Sequence, residues 1–216
     1  LEEKYMAKDL QTLSAANLPE SAAVFHQTGD KNTQIAYANN VNTIINVIVT
    51  AQRPTGDVIN TRFALCTEHY NLFVIAGETF ADGHFTVPKD RALTSSEGIA
   101  AEITAQFAAL TPEAISAIKT FPSLFTSENH QYGYTDADHL AFLGVVTDIR
   151  IQENGIKIYF QKFCSIPQQR INEIMFNLAI KGKPSYNELN RTHWAIKRVN
   201  LIEELRSAGI SLIVPT

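Results

Sequence analysis

Around Asn154-Gly155 the apolar and polar positions of this chain alternate strictly. Leu143, Val145, Ile149, Ile151, Ile158 and Phe160 fall on one face, and Asp148, Arg150, Gln152, Lys157, Tyr159 and Gln161 on the other. Asn-Gly favours a two-residue type I′ turn, which predicts a β-hairpin pairing Ile151 with Ile158 and Ile149 with Phe160. Ile149, Ile151, Ile158 and Phe160 are then expected to point into the core. Earlier in the chain the β rhythm is denser. Val24, Phe25, Ile35, Val41, Ile44, Ile45 and Val47 are separated by Gly29-Asp30 and Asn39-Asn40, turn pairs that predict two or three short strands. Asn71 to Ala76 reads as a buried strand, and His84 to Val87 as another that ends at Pro88.

Elsewhere the spacing is helical. Tyr5, Met6, Leu10 and Leu13 predict an amphipathic helix over 2–14, and Ile99, Ile103 and Phe107 predict one over 97–109. Thr111-Pro112-Glu113 has the N-cap, first-turn proline and acid that open a helix, and Phe121-Pro122 stops it. Pro167 opens a helix carrying Ile171, Ile174, Met175 and Leu178. Ser185 with Glu188, and Asn200 with Glu203, fit capping boxes. Thr192 to Ile196 and Ile210 to Val214 read as strands flanking a helix over 201–208. The pattern predicts an α+β fold of antiparallel hairpins with short flanking helices, its C-terminal hairpin followed by a helix–strand–helix unit.

Charge divides the chain. Residues 1–135 hold 8 basic and 14 acidic side chains, whereas residues 136–216 hold 10 and 8. With the loop signal at Tyr132-Gly133-Tyr134, this predicts a boundary between a β-rich region 1–135 and a C-terminal region 136–216, or a loop inside one continuous domain. The overall charge of −4 argues against a strongly basic nucleic-acid binder. No apolar run approaches the ~20 residues of a bilayer span, so no membrane partner is expected. Cys66 and Cys164 are too few for a disulfide framework. Free thiols and acidic balance point to a cytoplasmic, bacterial setting. The chain starts Leu1-Glu2-Glu3, without methionine or an apolar signal segment, which suggests a piece of something longer.

Motifs for chemistry are sparse. No phosphate-binding Gly-rich loop, dinucleotide fingerprint, serine nucleophile elbow or His-Glu-x-x-His pair is present, and no cofactor or resident metal is implied. Cys66-Thr67-Glu68-His69 has the spacing of half a zinc site, but a turn between strands is the expected reading. Asp136-Ala137-Asp138-His139 clusters two carboxylates and an imidazole, the side chains a metal-dependent hydrolase or nuclease would use. Thr135 with Asp138 equally reads as a helix cap. The stretch 181–206 carries Lys181, Lys183, Arg191, Lys197 and Arg198 beside His193 and Trp194, a candidate nucleic-acid surface. Trp194 itself is expected in the core.

Gly29-Asp30-Lys31-Asn32-Thr33-Gln34-Ile35, followed by Asn39-Asn40-Val41-Asn42, resembles Asn-rich segments beside effector or sensor domains of bacterial anti-phage defence proteins. The resemblance covers about 20 residues and implies a role in assembly, with no catalytic residue. Between Asn32 and Thr50 there is no Lys, Arg, Asp, Glu or Pro, so strands there lack the usual guards of a sheet edge. Thr33, Ile35, Tyr37 and Val41 are the candidate partner-binding positions. The leading expectation is a non-enzymatic interaction or regulatory module that binds a protein partner or itself in anti-phage defence. Nucleic-acid binding and metal-dependent hydrolysis are the alternatives.

Overall fold

The computed structural model describes the backbone of residues 33–41, 44–52, 58–94, 99–130 and 133–212, with side chains from residue 64 onward in those ranges. The expected helix over 2–14, the Gly29-Asp30 turn and residues 213–216 lie outside them. Strands β1 (Thr33–Val41), β2 (Ile44–Gln52) and β3 (Val58–Cys66) form an antiparallel sheet in that order. Among the described residues β1 is therefore an edge strand. A register shift interrupts its pairing between Ile35 and Ala38. The backbone N–H of Cys66, at the end of β3, donates to Thr120 O.

The main sheet contains β4 (Tyr70–Val74), β5 (His84–Val87), β6 (Pro122–Thr126), β7 (Leu140–Gln152), β8 (Gly155–Pro167) and β11 (His193–Lys197). Its order is β11-β4-β6-β7-β8-β5. Only β4 and β6 pair in parallel, across the connection carrying α1 (Ala101–Phe107) and α2 (Pro112–Ile118). After β8 come α3 (Gln168–Glu173), the small ribbon β9 (Gly182–Lys183) and β10 (Tyr186–Asn187), and finally α4 (Leu201–Ser207). The fold is α+β. The loop at Gly133 joins β6 to β7, which are neighbours in this one sheet.

Aromatic packing fills the centre. Phe73 stacks on Phe125 at 5.4 Å and on Trp194 at 5.2 Å, and Phe160 meets Phe125 at 4.7 Å. Trp194 is fully buried, and its indole N–H reaches Asn71 Oδ1. Phe80, also buried, holds φ 55, a left-handed conformation costly for a bulky side chain. Its backbone N–H is caught by Glu78 Oε1 at 2.8 Å.

The hairpin forms with a different turn. Gln152 pairs with Gly155, so Glu153 and Asn154 are the turn residues, and Ile151 faces Ile156 while Ile149 faces Ile158. None of Glu153, Asn154 and Gly155 has the positive φ of a type I′ turn. Gly155 serves packing instead: a Cβ there would lie 2.5 Å from Thr86 Cγ2, so edge strand β5 approaches only because that atom is missing. A register shift between Val146 and Asp148 sets Val146 opposite Phe160 and turns Val145, opposite Gln161, to the other face. Ile149, Ile151, Ile158 and Phe160 still share one face, and Ile149, Ile158 and Phe160 are buried. Ile151 shares their face but projects past the core, 56 % exposed.

Local capping also differs in places. Thr111 Oγ1 accepts from Ala114 N as expected. Asn200 Oδ1 accepts from Glu203 N, one half of the expected capping box, while Glu203 Oε2 accepts from Arg206 instead. The cap before the turn at 188–190 is Asn187 rather than Ser185, in a capping box with Asn190. Thr135 does not cap a helix: residues 135–139 form a turn in which His139 N donates to Asp136 O. Ile210 to Leu212, the described part of the expected last strand, is not a strand.

Candidate functional site

Pairing of Phe125 with Phe142 sets the two ends of the β6–β7 loop side by side. Ser127 is the first residue past β6 and His139 the last before β7, so the sheet itself brings them together. Ser127 Oγ lies 2.6 Å from His139 Nε2. His139 Nδ1 is 2.9 Å from His130 Nε2, and His130 Nδ1 is 2.7 Å from Asp136 Oδ2. An ionised carboxylate only accepts, which fixes the direction of the chain when both rings are neutral. His130 donates from Nδ1 to Asp136, His139 donates from Nδ1 to His130 Nε2, and Ser127 donates to the remaining lone pair on His139 Nε2.

His139 is buried, and Ser127 is partly exposed. Burial, and next the adjacent His130, hold the His139 pKa below its usual 6.5. Asp136, Asp138 and the Gln168 side chain oppose this. The ring is thus a free base at neutral pH, the form able to take the serine proton.

The segment carrying Ser127 and His130 is tied at several points. Ser127 O accepts from Gln168 Nε2 at 2.9 Å. Glu128 Oε1 accepts from both the backbone N–H and the hydroxyl of Thr192. Asn129 N donates to Leu189 O, and the amides of Asn129 and Asn172 pair reciprocally at 3.0 and 3.1 Å. Gln168 N donates to His139 O. Gln168 therefore touches the backbones of both Ser127 and His139. Its own Oε1 is buried and has no hydrogen-bond partner among the described residues.

A cavity of about 360 Å³ opens beside this array. Ser127, His130 and His139 line it, with Gly77, Glu78 and Thr79, and with Asp138, Leu140 and Phe142.

The residues expected from sequence are placed as follows. Asp136 and His139 both enter the array but are joined through His130, and Asp138 lines the cavity; among the described residues no group of three or more His, Cys, Asp or Glu side chains is arranged to hold a metal. His69 stacks on Phe121 at 5.4 Å, and Cys66 Sγ accepts from Glu68 N. Cys164 is buried, and that burial pushes its thiol up to about 12. Lys181, Lys183, Arg191 and Arg198 are exposed. Lys197 is not available to phosphate: it is 4 % exposed and ion-paired to Glu188. Thr33, Ile35, Tyr37 and Val41 lie on edge strand β1, and their side chains are outside the described residues.

Sequence reasoning missed Ser127 and His130. The available signal was spacing: Ser127, His130, Asp136 and His139 fall within thirteen positions, bringing two of the six histidines close to a serine and an acid. Among the described residues no helix is long and apolar enough to cross a membrane. No family model, curated protein or solved structure matches this chain.

Proposed function

We propose that this chain hydrolyses esters or amides with Ser127 as nucleophile. The observation that carries the reading is the continuous Ser127–His139–His130–Asp136 hydrogen-bond chain at the wall of an open cavity. Ser127 Oγ attacks the acyl carbonyl while its proton passes to His139 Nε2. His130, held by Asp136, accepts from His139 Nδ1 and stabilises the imidazolium. Collapse of the tetrahedral intermediate breaks the bond to the leaving group, which takes the proton from Nε2. Water then attacks the acyl-serine, giving its proton to His139, and release of the acid restores Ser127. The test is labelling by a neutral alkyl fluorophosphonate, located by peptide mass spectrometry. Modification of Ser127 that disappears in His139→Ala supports the reading, and an unlabelled Ser127 overturns it.

A second reading, assembly in bacterial defence, is favoured by one observation. β1 sits at an edge of its sheet, paired only with β2 among the described residues, in a segment without charged residues or proline. Strand addition at that edge would join a second copy or a protein partner. A native mass equal to one chain, with no partner retained, ends that reading. Nucleic-acid binding through Lys181, Lys183, Arg191 and Arg198 keeps its exposed side chains but loses Lys197.

A further inference from the structure

We infer that the Ser127 cavity selects acyl substrates whose leaving group carries a cationic amine, an inference that rests on Ser127 being the nucleophile. Two kinds of side chain line the cavity around the reacting atoms. Leu140 and Phe142 present apolar surface, suited to an acyl chain. Glu78 and Asp138 present carboxylates, and neither Lys nor Arg is among the described lining residues. Lys162 reaches the ring of Phe142, with Nζ 4.3 Å from its centroid, but does not itself line the cavity. His130, the remaining titratable side chain on the wall apart from His139, is engaged by Asp136.

This charge pattern decides between substrate classes. A phosphodiester or carboxylate entering the cavity would approach two carboxylates with no cation among the described lining residues to offset them. An ammonium group would find those charges already in place. The volume, about 360 Å³, is at the small end of the range for ligand sites, which favours a small molecule over a polymer segment. The leaving group is thus an amine-bearing alcohol, thiol or amine. It departs with the proton from His139 Nε2 and leaves its acyl group on Ser127.

The experiment compares three thioesters of butyric acid at pH 8, where His139 is neutral. Their leaving thiols are 2-(trimethylammonio)ethanethiol, 2-hydroxyethanethiol and mercaptoacetate. The expected kcat/KM is about fivefold higher for the cationic than for the neutral thioester, the size of one favourable, partly exposed charge contact, and lowest for the anionic one. The cationic preference should shrink in Asp138→Asn and approach unity when Glu78→Gln is added. Asp138 is exposed, so the single variant tests the inference even if the double variant fails to fold. Rates within twofold of each other, or an anionic preference, with Ser127 still labelled by the neutral fluorophosphonate, would overturn the substrate class and leave the nucleophile standing. No cleavage of any thioester and no labelling would overturn both.

Discussion

Lys197 Nζ contacts both carboxylate oxygens of Glu188, at 2.6 and 2.8 Å, beneath a surface that leaves the lysine 4 % exposed. Glu188 Oε2 also accepts from Lys181 N, so the pair pins the β9–β10 segment to β11. Removing one partner strands the other charge away from water. Lys197→Met should destabilise the protein by roughly 3–5 kcal/mol in equilibrium unfolding, and adding Glu188→Gln should recover part of the loss. Replacing exposed Lys183 by Met should change stability by less than about 0.5 kcal/mol. Equal effects for the two lysines would show that the buried pair is misassigned.

The hairpin separates two isoleucines and a phenylalanine that share one face. Phe160 is buried among Phe80, Phe85 and Phe125, so Phe160→Ala should cost roughly 3–5 kcal/mol. Ile151, 56 % exposed near the turn, should tolerate alanine at a cost of about 0.5 kcal/mol or less. Chemical denaturation of both variants checks the register, because pairing Ile151 with Ile158 would have made the two costs similar.

Those isoleucines also mark how far the sequence could be read. Alternation found the hairpin and the facing of its residues nearest the turn, because facing survives a two-residue change in pairing, but it missed the bulge after Val146 that turns Val145 to the other face. It could not place the turn. Asn154-Gly155 carries the local signal of one turn, but the glycine is there for Thr86, which lies nearly seventy residues earlier. The caps at Thr111 and Asn200 were legible because both partners are three residues apart. Asn187 was not, since its side chain also serves Asn172 across the fold. Asp136 and His139 stood out as neighbours. Their connection runs through His130, and it forms only because β6 and β7 pair. Ser127 carries no motif of its own, and only the pairing of Phe125 with Phe142 sets it beside a base. The charge seam near residue 135 coincides with this same loop.

Acid should silence the site by protonating His139. His139 has its pKa depressed, chiefly by burial and then by His130, so the acid limb of ester hydrolysis should fall below pH 6.5. Asp136 and Asp138 raise the same pKa. Asp136→Asn should therefore move that limb further toward acid, while lowering the plateau because His130 loses its acceptor. The stability sign follows from the same shift. Above 6.5 the imidazole is neutral whether the chain is folded or not. As pH falls from 6.5 through the lower folded value, only the unfolded chain binds the proton, so His139 removes stability in that window. A kcat/KM profile with its acid limb above pH 6.5 would contradict the burial of the ring.

Gln168 is the residue that holds the nucleophile and the base in register. Its Nε2 donates to Ser127 O at 2.9 Å and to Asn129 Oδ1 at 3.1 Å, while its backbone N–H donates to His139 O at 2.8 Å. The side chain is fully buried, yet Oε1 has no hydrogen-bond partner among the described residues. An unsatisfied buried carbonyl costs about 1–3 kcal/mol, and here the Gln168 side chain also favours the protonated form of His139. That places a stabilising dipole where positive charge develops during acyl transfer. Gln168→Met keeps the length and removes both functions. It should lower kcat by roughly ten- to a hundredfold, the range expected when a supporting hydrogen bond is lost, with KM little changed. It should also move the acid limb to lower pH. Gln168→Glu should move that limb the opposite way, because a carboxylate holds the imidazolium more strongly. The two opposed shifts are the discriminating readout. A residue that merely filled the core would change melting temperature in both variants and leave both pH profiles where the wild type has them.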